Sequence, residues 1–159
     1  MADKKKVDEK VVETEKVVEN AKTTALKKFF KEQKIDCFEV QELKDEAETA
    51  IFRSRMEVKK QVLPFAILVD KSVYTLLQVQ LAVGMDVEKL ATLVNRLNNS
   101  YRMFKFNIAD DGALLMNINF VAQDDKFDAV LLKAVLDEIL MLLDKEYSNL
   151  MEEVWKLNK

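Results

Sequence analysis

The stretch Phe104-Lys105-Phe106-Asn107-Ile108-Ala109-Asp110-Asp111-Gly112-Ala113-Leu114-Leu115-Met116-Asn117-Ile118-Asn119-Phe120 decides the fold. Phe104, Phe106 and Ile108 alternate with Lys105 and Asn107, and Leu114, Met116, Ile118 and Phe120 repeat the alternation on the way back. A period of two is the mark of a strand with one buried face and one wetter face. Asp110-Asp111-Gly112 between them is turn chemistry, with glycine where a positive φ can be required. This segment is therefore an antiparallel hairpin, and its apolar face needs a cover.

The cover lies on both sides in sequence. Upstream, Gly84 breaks the chain, Asp86 stands at an N-cap position, and Val87, Leu90, Leu93 and Leu97 trace one helical face to about Asn99. Downstream, a long helix is expected from Asp125 or Lys126 to Leu157. Its first half is apolar on more than one side, through Val130, Leu131, Ala134, Val135, Leu136, Ile139, Leu140, Leu142 and Leu143, which exceeds what one amphipathic stripe requires. We expect the surplus to meet a second subunit or a partner, with Leu136, Leu140, Leu143, Tyr147 and Met151, or a neighbouring face, at the seam.

Further upstream the period of two returns four times. Strands are expected at Cys37–Leu43, at Ala50–Val58, at Leu63–Val69 and at Tyr74–Val83. Pro64 has no N–H to give a ladder, so its strand should begin there, lie at an edge or carry a bulge. A short helix carrying Leu26, Phe29 and Phe30 precedes them, with Thr23 or Thr24 as its N-cap. Residues 1–22, almost all Lys, Glu, Asp and Val, form a charged N-terminal helix or tail with a thin stripe of Val7, Val11 and Val18, and residues 23–159 form one domain. The fold class is α+β, a largely antiparallel sheet with packed helices in the order α-β-β-β-β-α-β-β-α.

Composition narrows the function. The 159 residues contain no histidine and only two glycines, so imidazole acid–base chemistry, Ser-His-Asp arrangements and glycine-rich phosphate loops cannot be built. Asp110/Asp111 and Asp124/Asp125 read as turn and cap residues and not as a cation site, since neither pair has the ligand spacing of a calcium loop. We expect no enzyme, no cofactor and no metal. The 25 Lys and Arg residues are interspersed among 28 Asp and Glu, which leaves no basic face for nucleic acid. The longest apolar runs fall short of a membrane span, and a lone cysteine without a secretory leader points to a cytoplasmic location. Cys37 is expected to be a small buried residue at the start of its strand. Asn95 and Asn98 are expected to satisfy carbonyls at their helix end or to bond to the next strand.

The run Leu90-Ala91-Thr92-Leu93-Val94-Asn95-Arg96-Leu97-Asn98, followed by the Phe-x-Phe strand, the Asp-Gly hairpin, the Leu114–Phe120 strand and a long terminal helix, resembles the YbjN family of bacterial proteins. That family is described as sensory transduction regulators and is similar in fold to type III secretion chaperones. The resemblance implies a non-enzymatic α/β sandwich, often paired as a homodimer, that offers an apolar groove or sheet surface to another polypeptide. On the residues alone, seven Met and nine Phe fit the same reading, with Met85, Met103, Met116, Met141 and Met151 able to line an adaptable surface. The second reading is a small-molecule sensor, an enclosed apolar pocket in which Arg53 and Arg55 select an anion.

Overall fold

The computed structural model describes residues 18–159; the stripe expected at Val7 and Val11 lies outside them. Helix α1 spans Ala21–Glu32, strands β1–β4 span Glu39–Glu42, Ala50–Val58, Gln61–Val69 and Tyr74–Ala82, helix α2 spans Val87–Ser100, strands β5 and β6 span Lys105–Ile108 and Leu114–Val121, and helix α3 spans Ala129–Leu157. All neighbouring strands are antiparallel and form one six-stranded sheet in the order β1-β2-β3-β4-β6-β5. The protein is therefore α+β, in the element order read from the sequence.

Strand periodicity builds the core. Phe52, Ile67, Leu77 and Ile118 stand opposite one another in register across four strands, and all are buried beneath the helices. The helices supply Leu26 and Phe30 from α1, Leu90, Leu93 and Leu97 from α2, and Leu132, Ile139, Leu143 and Val154 from α3. α3 touches both other helices and β2, so the three helices form one layer. At the α1 end Phe30 stacks on Phe38 with ring centres 4.6 Å apart, and Phe52 meets both rings edge-on.

Local chemistry fixes the element ends, and several ends differ from expectation. α1 starts at Ala21 because Asn20, not Thr23 or Thr24, caps it: its side-chain oxygen accepts from the Thr23 N–H at 2.8 Å. Lys22 is fully buried, and its ammonium donates to the carbonyls of Ser72 and Tyr74 at 2.5 and 2.9 Å. Residues at the end of the charged N-terminal segment are thus built into the folded unit. The last helix begins at Ala129, after a 3-10 turn at Asp124–Lys126, because Asp128 accepts from the N–H groups of Val130 and Leu131.

Gly84 and Gly112 carry the positive φ that their turns need. A Cβ on Gly112 would lie 3.2 Å from the backbone N and O of Met85, whose N–H donates to the Gly112 carbonyl. No helix among the described residues is long and apolar enough to cross a membrane.

Candidate functional site

Every helix among the described residues lies on one side of the sheet, and none of them covers the other face. Its side chains belong to the second parity of each strand. Ile51, Leu68 and Leu76 stand in register across β2, β3 and β4. The next row along runs Glu39, Arg53, Ala66, Gln78, Asn117 and Lys105 across all six strands. The polar part of this row is bonded together: Gln78 Nε2 donates to Asn117 Oδ1 at 3.0 Å, and Asn117 Nδ2 donates to Asn107 Oδ1 at 2.5 Å. Arg53 is tied to Gln41 Oε1 at 2.5 Å, while Arg55 has no side-chain hydrogen bond or ion pair among the described residues.

The face is concave over β2, β3 and β4. A hollow of about 670 Å³ is bounded by Cys37, Glu39, Arg53, Arg55, Pro64 and Gln80. A second hollow, of about 470 Å³, starts at Pro64 and Gln80 and continues between Val62, Val83 and the α3 residues Tyr147, Met151 and Trp155. Both are open to solvent, which suits an extended ligand better than an enclosed small molecule.

The second hollow exists because the sheet is split there. β3 runs to Gln61 and β4 to Ala82, yet their register stops at Phe65 opposite Val79. Pro64 explains the stop. It stands opposite Arg55 of β2, and since proline has no N–H that pair must be of the non-hydrogen-bonded kind. The polar groups of Pro64 then point towards β4, where the pair with Gln80 would need the N–H that proline lacks. The β4–β6 register also shifts between Gln80 and Ala82, a bulge that bends β4 where it parts from β3. Pro64 thus sits inside a central strand, and the bulge is on its neighbour.

Of the seam residues read from the sequence, Tyr147 and Met151 line the second hollow. Leu136, Leu143, Tyr147 and Met151 point into the chain's own core, each less than 9% exposed, and only Leu140, at 38%, reaches the surface. The spacing that made them a coherent face is the spacing of the side that packs on the sheet. The other exposed apolar residues of α3 are Val130, Leu131 and Met141 in its first half, with Trp155 at the second hollow and Leu157 at the helix end.

Met85, Met116 and Met151 are core residues, whereas Met103 and Met141 are exposed. Cys37 is exposed, not buried, because β1 begins two residues later and leaves it at the rim of the larger hollow. Asn98 bonds to the next strand, accepting from Phe106 N at 2.7 Å and donating to Phe106 O at 2.9 Å.

Two electrostatic features lie on α1. Burial pulls the Lys22 ammonium below the ordinary lysine range, against the opposing pull of Asp70 and Asp124. Burial acts the same way on Lys27, but its ion pairs with Glu19 and Glu42 outweigh it and raise the pKa. Among the described residues no three His, Cys, Asp or Glu side chains converge as a metal site would require. Comparison of the chain with protein-family models and with curated proteins found no match.

Proposed function

We propose that this protein is a non-catalytic interaction module that binds a polypeptide on the bare face of its sheet. The observation that carries the reading is that face itself: a six-stranded sheet with all the helices of the described residues on one side, and with Ile51, Leu68 and Leu76 aligned on the other. Uncovered apolar rows bordered by polar ones are the usual make-up of a protein-binding surface. The hollows give the face relief, and their open form favours a chain laid across the strands. The YbjN-like order of elements supports the same reading, and with it a regulatory or chaperone-like role in a reducing cytoplasm. A homodimer belongs to this proposal too, with the exposed apolar residues of α3, Val130, Leu131 and Met141, at its seam.

Selection of linear peptides from a displayed library on the purified full chain tests it. Peptides that bind the wild-type chain, lose binding to Leu68→Glu and keep it for Met141→Glu are the expected result. Binding that ignores Leu68→Glu and depends on Met141 would overturn the sheet-face reading, as would selections that enrich no peptide. Light scattering on a size-exclusion column, comparing the wild type with Met141→Glu, checks the dimer: a monomer in both removes that part.

A further inference from the structure

The split between β3 and β4 leaves main-chain groups in the middle of a sheet without a ladder partner. The alternation that turns Pro64 towards β4 also turns Val62 that way, and it turns Gln80 towards β3. The last recorded pair, Phe65 with Val79, is closed on that side by the Gln80 N–H donating to the Pro64 carbonyl, so beyond it the notch presents the N–H and C=O of Val62 and the C=O of Gln80 to whatever enters. Edge groups of this kind are a template for another extended chain.

The walls are apolar. Val62 and Val83 stand at the mouth, and Tyr147, Met151 and Trp155 close the back. From Pro64 and Gln80 the notch runs on into the larger hollow, where Arg53 and Arg55 face Glu39, while Glu57 lies past Arg55 on the same strand face, opposite Val62. Arg55 has no ion pair among the described residues. The unpaired guanidinium of Arg55 at that end complements a negative residue.

We propose that the notch receives an extended peptide segment as a short added strand, apolar where it lies between β3 and β4 and acidic where it emerges over Arg53 and Arg55. This rests on the reading of the protein as a polypeptide-binding module and specifies the ligand class. Specificity then has two sources. Main-chain pairing selects the extended conformation, and the two arginines fix its direction by holding the acidic end on the open face.

Trp155 is the only tryptophan of the chain and lines the notch, so its fluorescence reports occupancy. The probes are three synthetic heptapeptides titrated into the full chain. One is valine-rich and ends in two aspartates, one has asparagines in their place, and one carries N-methyl groups on alternate amides so that it cannot pair along that edge.

The expected result is a saturable fluorescence change with the acidic peptide, at least tenfold weaker binding of the N-methylated one, and several-fold weaker binding of the neutral one. Arg53→Gln/Arg55→Gln should equalise the acidic and neutral peptides. Pro64→Val returns the missing donor and should close the notch and abolish the response, with circular dichroism verifying the fold. Equal binding of the N-methylated peptide overturns the added strand, and so does failure of the acidic peptide to bind at millimolar concentration. If that happens while library-selected peptides still depend on Leu68, the notch is wrong and the interaction module stands. If no peptide of either kind binds, both fall.

Discussion

Lys22 is an unusual residue to find at the bottom of a fold, and its sequence neighbours conceal it. It sits at the end of a charged run that reads as solvated, yet its ammonium is saturated by two carbonyls and lies within 3.4 Å of Thr75 Oγ1. Nothing in local patterning distinguishes it from Lys16 or Lys27, because its acceptors lie about fifty residues away. Lys22→Met should lower stability by at least about 1 kcal/mol for each carbonyl left without a donor, read from urea unfolding at pH 7.

The sign of the pH effect follows from the lowered pKa. Below that pKa the ammonium is charged in both states and its burial opposes folding. As pH rises through it towards the ordinary lysine value, the folded state sheds the proton first, so the wild type gains on Lys22→Met. Unfolding midpoints of both chains between pH 8 and about 10.5 check this, and a gap that shrinks over that range contradicts it. Gly112 was legible where Lys22 was not, since Asp-Asp-Gly names its own turn. Gly112→Ala should cost more than the roughly 1–2 kcal/mol of a left-handed backbone, because its Cβ also meets Met85, whereas Gly84→Ala should cost only the backbone part, its Cβ meeting nothing within 4 Å. Thermal denaturation of the two variants side by side separates the terms.

Among the elements, α3 shows how far periodicity carries. Its length and position were readable, and so was the surplus of apolar residues. Which side faces the sheet was not, because leucines and valines cover most of the circumference and the choice is made by sheet curvature and by the flanking helices. Leu143→Ala should therefore cost about 2–5 kcal/mol as a core cavity, while Met141→Ala, at 65% exposure, should stay within about 0.5 kcal/mol at dilutions that dissociate the proposed homodimer. Chemical denaturation of both variants decides it, and the opposite ranking would mean the helix is rotated. Strand β3 gives the converse lesson. Proline in its run announced an irregularity, but locating the break needed the register with both neighbours, which no single strand contains.

In the whole molecule, order of elements and class of fold were legible because every strand kept its alternation and every turn its chemistry. The candidate site was not, since it is made by what the described residues do not supply: a third layer over the sheet and a ladder between two strand ends. Arg53 and Arg55 were visible as a pair on one strand face, and the structure adds that they overlook a hollow joined to the split. The two hollows meet at Pro64 and Gln80, which makes this single crossing point the place where a substitution should disturb both.

The bidentate grip of Asn98 on Phe106 has a further meaning at the rim of the sheet. Phe106 turns its N–H and C=O away from β6, and the amide of Asn98 occupies both, while Lys105 reaches back to the Asn98 carbonyl at 3.2 Å. Among the described residues one border of the sheet is thus plugged, and the other, along β1, is not. A fibre made by copies joining border to border needs two free borders on every copy. The described residues leave one, so such joining would be β1 against β1, a contact that uses up both participants and ends at a pair.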